Sequence, residues 1–231
     1  MPLQNTPRAN LAELVIKQIE QLIETGEWAV GDKIPAEPVL VDQLGVGRNT
    51  VREAVRALVH AGILEPRQGD GTYVRASSEL AAAVQRRLRR STALEVYEVR
   101  ASLERDAARY AALRRTDEDL AMLRAALSER TRALGADDIE SYIEADIAFH
   151  QSVATAAHNS ILSDLYATMS GALRSTLRSM TEAPLSETVR RQDEAHAAIV
   201  EAIEAGDADR AEQTTLAHLT EASTALRELT E

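Results

Sequence analysis

Gly45 and Gly62 bracket the stretch that most constrains this chain. Between them Val51, Val55, Leu58 and Val59 fall at i, i+4, i+7 and i+8, the spacing of one helical face. At about 100° per residue, Asn49, Arg52, Glu53 and Arg56 fall outside that stripe, and Arg48 lies at its border near the start. Gly45 and Gly47 precede the helix, and Gly62 follows where a left-handed stop is required. A short helix with an apolar back and an arginine-rich front can enter a DNA major groove. The same pattern also describes a surface helix with a solvated charged face. The flanking sequence has to decide.

Upstream, Leu11, Leu14, Val15, Ile19, Leu22 and Ile23 predict a helix from Leu11 to about Thr25, stopped by Gly26. Residues 1–10 read as a polar arm. A turn carrying Trp28 leads to a second predicted helix, about Ala36 to Leu44, with Pro38 in its first turn, where a missing N–H costs little. Two short helices joined through Gly45 form a helix-turn-helix. Downstream, Ile63–Arg67 and Thr72–Arg75 are strand-like and flank Gln68-Gly69-Asp70-Gly71, which predicts a hairpin. The expected fold is mainly α, opening with a winged helix-turn-helix over residues 1–75.

Beyond residue 75 the sequence reads as helix: about 78–90, 94–114, 117–134, 138–157, 160–180, 186–205 and 208–229. The breaks include Gly135-Ala136-Asp137, Ala183-Pro184 and Gly206-Asp207, and Asp117, Asp137 and Asp207 are candidate N-caps. Short connections between helices make an antiparallel bundle, so residues 76–231 are expected to be an all-α second domain.

The formal net charge of −11 argues at first against a nucleic-acid partner. Its distribution weakens that argument. Residues 1–75 hold 8 Lys and Arg against 10 Asp and Glu, and residues 76–231 hold 18 against 27. The acidity lies mainly in the bundle, and any DNA contact must come from a local arginine cluster. The run Arg86, Arg87, Arg89 and Arg90 is better read as a solvated helix face. There is no cysteine, which removes disulfides, thiolate metal sites and cysteine nucleophiles and suits a reducing cytoplasm. No apolar run approaches the ~18–20 residues of a membrane span, and Met1 to Asn10 lack the apolar core of a signal peptide.

A second constellation lies in the bundle. Asp146 and His150 are at i, i+4, among Ile143, Ile147 and Val153. His196 begins the stripe His196, Ile199, Val200, Ile203, and His218 sits with Leu219, Ala222 and Leu226. Polar groups buried on such faces need partners, because each unpaired one costs ~1–3 kcal/mol. One divalent metal would satisfy all four, and separate hydrogen bonds would also do so. His60 and His158 read as structural. Arg100 at i−4 from Glu104 is either a carboxylate-gripping group or half of a surface salt bridge worth little.

The motifs Gly31-Asp32-Lys33-Ile34-Pro35-Ala36-Glu37, Leu44 through Ala54, Gly62-Ile63-Leu64 and Gly69 through Val74 together resemble the GntR family of bacterial transcription regulators. The all-helical remainder resembles the sensor of its FadR-type branch, the FCD domain. The resemblance implies that Arg48 and Arg52 read the groove, that Asn49 and Thr50 touch phosphates or base edges, and that Gly69 and Gly71 of the wing tip approach the minor groove. Two residues depart from the family pattern. Gly47 stands where Ser or Thr is common, and Pro38 where an arginine is common. The segments around Asp146 and His150, His196 and His218 resemble the metal-binding segments of FCD domains, with zinc the default ion and nickel or manganese the alternatives. Arg100 resembles the arginine that faces the effector.

The function this implies is a cytoplasmic homodimer that binds a palindromic double-stranded operator, acts as a repressor and responds to a small carboxylate. A metal-dependent enzyme and a pure metal-ion sensor are the competing readings. No nucleophile or general base stands at motif spacing to support the enzyme.

Overall fold

The computed structural model describes residues 11–136, 138–180 and 187–230. The candidate cap Asp137 and the Ala183-Pro184 break lie outside the described residues. The chain divides into two compact units between Arg86 and Arg87.

The first unit contains α1 (Leu11–Glu24), α2 (Glu37–Leu44), α3 (Arg48–Ala61), and a hairpin of β1 (Leu64–Arg67) and β2 (Gly71–Val74). α4 (Glu79–Leu88) begins in it. Val15, Ile19 and Ile23 of α1, Leu40 of α2 and Val51, Ala54, Val55 and Leu58 of α3 form one core with Ile34, Ile63, Leu64 and Val74. The buried stripe of α1 is rotated from the sequence expectation. Ala12 takes the inner position, while Leu11 and Leu14 are 54% and 49% exposed. The spacing Ala12, Val15, Ile19, Ile23 fits one face, and Leu11 and Leu14 fall at its edge. α2 ends on Gly45 at φ 65° and α3 on Gly62 at φ 85°, left-handed stops that favour glycine. The hairpin pairs Leu64 with Val74 and Arg67 with Gly71 in antiparallel register. Its second strand also takes bonds from the α1–α2 loop: Ile34 N–H donates to Thr72 O and Val74 N–H to Asp32 O.

The second unit is helical: α5 (Ala93–Arg114), α6 (Asp117–Gly135), α7 (Ile139–Ala156), α8 (Ser160–Met180), α9 (Glu187–Glu204) and α10 (Ala208–Thr230). Its core is built from Leu123, Ile143, Phe149, Tyr166, Leu173, Ile199 and Ile203 with many alanines, which let the helices approach closely. Local chemistry sets the helix starts. Thr116, not Asp117, caps α6: its hydroxyl accepts from Asp119 N–H while the Asp119 carboxylate accepts from Thr116 N–H and Oγ1. Thr92 and Glu95 repeat that arrangement on α5. Asp138 caps α7, and Asp207 accepts from Arg210 N–H.

Removing the α6 cap should be measurable. Thr116→Ala is expected to cost about 1 kcal/mol, read as a lower denaturation midpoint.

Candidate functional site

The first candidate surface is the front of α3. Arg48 opens the helix, with Asn49 and Thr50 in the same first turn. Gly47 is the N-cap and provides no side-chain hydrogen bond; Thr50 N–H donates to Gly47 O at 3.0 Å, while the Arg48 and Asn49 amides have no side-chain cap. That end of a helix suits a phosphate, because amide donors and the helix dipole both favour an anion. Arg48, Asn49, Arg52 and Arg56 are exposed and Thr50 is half-buried. Arg52 is held by the neighbouring helix: its Nε and Nη2 donate to Glu37 Oε2 at 3.3 and 3.1 Å. Arg48 forms no such bond with the described residues. The wing tip is also tied down. Gly69 turns at φ 76°, and Asp70 accepts from Lys33 Nζ at 2.9 Å and from Tyr73 Oη at 2.6 Å. Those two bonds hold the Asp70 carboxyl below the usual range, Tyr73 contributing most. The Arg67 guanidinium lies over the Tyr73 ring, 3.8 Å from its centroid. His60 is exposed in the last turn of α3.

The second candidate site is buried in the helical unit. α7 supplies Asp146 and His150, α9 His196 and α10 His218. All four are buried. His150 Nε2 lies 3.1 Å from His196 Nε2, and His196 Nε2 lies 3.3 Å from Asp146 Oδ1. One nitrogen from each of His150, His196 and His218 falls within 4.8 Å of the others. Phe149 packs edge-on against the first two rings, 5.1 Å between centroids in each case. His218 Nδ1 is buried without a hydrogen-bond partner.

These features fit a metal. Two imidazole nitrogens bound to one ion at ~2.1 Å stand roughly 3.0–3.4 Å apart, and the separation found is 3.1 Å. A donor set of three imidazoles and a carboxylate suits zinc, nickel or manganese. Burial lowers the His196 imidazole to about 4, with the Asp146 hydrogen bond opposing it only in part. Burial also lowers His218, reinforced by His196 and His150. Both rings are therefore neutral near pH 7, the form that ligates.

Arg130 was not singled out by sequence, and Glu104 was named only as a possible salt-bridge partner of Arg100. Arg130 of α6 is fully buried and uses three nitrogens on three partners. Nε donates to Asp146 Oδ1 at 2.9 Å, Nη2 to Tyr142 Oη at 2.8 Å and Nη1 to Asp193 Oδ1 at 2.9 Å. Glu104 of α5 bridges the two predicted sites, with Oε2 2.8 Å from His150 Nδ1 and Oε1 accepting from Arg100 Nε at 2.5 Å. The Arg100–Glu104 pair exists, but it is buried rather than on the surface, at 2% and 1% exposure. α5 turns that face into the bundle. Arg100 also donates to Tyr97 Oη at 3.2 Å and lies 3.6 Å from Asp146 Oδ2. Burial would raise the Glu104 carboxyl, yet Arg100 and His150 hold it down at about 2. Burial likewise opposes ionisation of Asp146, and the His196 bond with Arg130, His150 and Arg100 keeps it well below the usual range. His158 is structural: at φ 48° in the α7–α8 turn, it bonds Asp119 Oδ2 at 2.7 Å.

The geometry joins a winged helix to a helical unit with a buried histidine centre, and comparison with known proteins gives the same division. The family described as bacterial regulatory proteins of the gntR family matches residues 11–74, and the FCD domain matches residues 95–221. The chain belongs to the GntR family, with an FCD domain. It is 34% identical over 210 residues to the HTH-type transcriptional regulator LutR of Bacillus subtilis, covering 86% of this chain and 93% of LutR. It is 30% identical over 223 residues to the HTH-type transcriptional repressor NanR of Salmonella schwarzengrund, covering 94% and 84%. A solved GntR structure from Streptococcus agalactiae is similar at TM-score 0.62 and 28% identity, covering 92% of this chain and 99% of that one. This GntR-family chain is a DNA-binding transcriptional regulator, not an enzyme. Among the described residues no helix is long and apolar enough to cross a membrane.

Two outcomes follow for the histidine centre. The folded protein resists protonating His196 below its ordinary value of 6.5, whereas the unfolded chain accepts that proton. The metal-free protein should therefore lose stability as pH falls from 6.5 toward about 4 and gain none from this group above 6.5. The loss should reach roughly 2–3 kcal/mol, and denaturation midpoints at pH 7 and pH 5 would show it. Arg130→Ala should cost about 3–5 kcal/mol because it strands buried Asp146, measured by chemical denaturation at pH 7.

Proposed function

We propose that this regulator is a homodimeric repressor whose FCD domain holds a divalent metal and binds a small organic acid, which lowers its affinity for a palindromic operator. Asp146, His150, His196 and His218 would hold the ion, zinc by default with nickel or manganese as alternatives. The observation that carries this reading is the convergence of three buried imidazoles, one with an unpartnered buried nitrogen. FCD domains commonly bind divalent metals.

The charge arithmetic of the centre supports an anionic effector. Among its fully buried groups, Arg100 and Arg130 balance Glu104 and Asp146. A divalent ion adds two positive charges to that balanced set, and an uncompensated buried charge is costly. A carboxylate entering beside the metal would offset one of those two charges. Arg100 would be the protein group nearest to meet it, sharing a guanidinium already bonded to Glu104. When bound, the metal supplies a Lewis-acidic anchor for the carboxylate. The chain's own part is to orient the ligands and exclude water: Glu104 fixes His150 through Nδ1, Arg130 fixes Asp146, and Phe149 walls the two rings.

At the DNA, Arg48 and Arg52 would read base edges, Asn49 and Thr50 would engage phosphates or bases, and Gly69 and Gly71 would bring the wing tip close to the minor groove. The winged helix would occupy residues 1–75 and the sensor 76–231, in the cytoplasm. Two copies would present two α3 helices to half-sites one helical turn or a multiple apart.

The test begins with duplexes selected from a random pool by the wild-type protein. Arg48→Ala and Arg52→Ala should each weaken binding to the selected duplex by about 5–150-fold, with the solution mass unchanged. Zinc titration of metal-free protein, with His218→Ala as control, should show one site per chain lost in the variant. Acetate, lactate and citrate are then screened with and without zinc by thermal shift and by release from the duplex. Stabilisation and release confined to the zinc form support the proposal. Release by zinc alone, unaffected by any acid, would make the ion itself the effector. Failure to bind zinc would sink the metal reading.

A further inference from the structure

The two arginines on the front of α3 are held differently. Arg52 is fixed by Glu37, which is the first residue of α2, while Arg48 has no such partner among the described residues. Both bonds from Arg52 end on the same oxygen, Glu37 Oε2, at 3.3 and 3.1 Å. They use one N–H of Nε and one of Nη2, out of the five N–H donors of a guanidinium. The terminal edge, Nη1 with the second N–H of Nη2, stays open. That edge is the parallel pair of donors that matches guanine O6 and N7. Glu37 sits in the first turn of α2, where the helix dipole favours a carboxylate. The pair is half-exposed, 51% for Arg52 and 40% for Glu37, so it adds little to stability. A carboxylate on the face that meets DNA also repels phosphates and lowers affinity for any duplex. Its contribution therefore has to lie elsewhere than in stability or raw affinity.

We propose that Glu37 is a positioning residue for sequence discrimination: it holds the Arg52 guanidinium with its guanine-reading edge outward, and its own charge suppresses binding to unrelated DNA. Arg48, unrestrained, adapts to the backbone or base it meets. This rests on α3 being the reading helix with Arg52 as a reader. The proposal extends recognition to a residue on the preceding helix that makes no base contact of its own. It also offers a physical use for the first turn of α2, where Pro38 replaces the arginine common in the family.

The experiment compares full-length wild type, Glu37→Gln, Arg52→Ala and the double variant. Each is measured on a duplex selected by the wild type, on single-base variants of that duplex, and on an unrelated duplex, at two salt concentrations. Glu37→Gln should bind the selected duplex about tenfold more weakly, while binding the unrelated duplex as tightly or more tightly. Its lost preference should fall at the same base pair that Arg52→Ala flattens, and the double variant should be no worse than Arg52→Ala alone. A surface pair with a merely structural role would lower both affinities together or leave both unchanged, and either result overturns the proposal. If Arg52→Ala flattens one base pair and Glu37→Gln leaves that preference intact, the positioning role falls while Arg52 stands as a reader. If Arg52→Ala flattens none, the reading by Arg52 falls and the proposal with it.

Discussion

The FCD domain depends on two guanidiniums neutralising two carboxylates out of reach of water. Arg130 and Arg100 reach Asp146 from α6 and α5, and Glu104 closes the set by bonding Arg100 and His150. Isolated buried charges would each cost several kcal/mol, so such a set persists only if every member is bonded. Here Arg130 alone joins α6 to α7 through Asp146 and Tyr142, and to α9 through Asp193. His150 and His196 sit on two of the helices that these bonds tie together, α7 and α9. The centre is thus assembled largely by its surroundings, so the proposed ion would carry a small ordering cost on binding.

The winged helix solves a different electrostatic problem. It must meet a polyanion while carrying more acidic than basic groups, and two of the acids near its DNA-facing elements are paired. Asp70 at the wing tip is occupied by Lys33 and Tyr73, and Glu37 by Arg52. Pairing blunts their repulsion of phosphate and gives each partner a defined direction. A domain with little net charge gains less from non-specific attraction, so more of its preference for an operator has to come from placed groups.

The sequence revealed most of what depends on local chemistry. Helical period, glycine stops and hairpin glycines located every element of both units, and the i, i+4 spacing put Asp146 and His150 on one buried face. Two kinds of feature were missed. Edges of amphipathic stripes are ambiguous by about one residue's rotation, so Leu11 and Leu14 were expected inside and lie outside. Partners across helices leave no local trace: Arg130 was not singled out, and the alternative reading of Arg100 with Glu104 put that pair on the surface, where it is buried. A signal was nevertheless present. Arg130 interrupts the apolar series Leu123, Leu127, Leu134, and Arg100 and Glu104 interrupt Tyr97, Ala107, Ala111. A charge on an otherwise apolar stripe marks a buried ion pair, because no other arrangement tolerates it there.

The Glu104 bridge also bears on how the proposed ion and acid would influence each other. One carboxylate oxygen lies 2.8 Å from His150 Nδ1, and the other accepts from Arg100 Nε. An acid that draws Arg100 away from Glu104 leaves that carboxylate more basic and its hold on His150 Nδ1–H stronger. A stronger hold makes His150 Nε2 a better ligand. Linkage then requires the converse: an ion that takes up His150 Nε2 polarises Nδ1–H toward Glu104, loosens the Glu104–Arg100 bond and readies Arg100 for a carboxylate. On this geometry the proposed ion and acid would each raise the affinity for the other through a single side chain, without either having to deform the bundle.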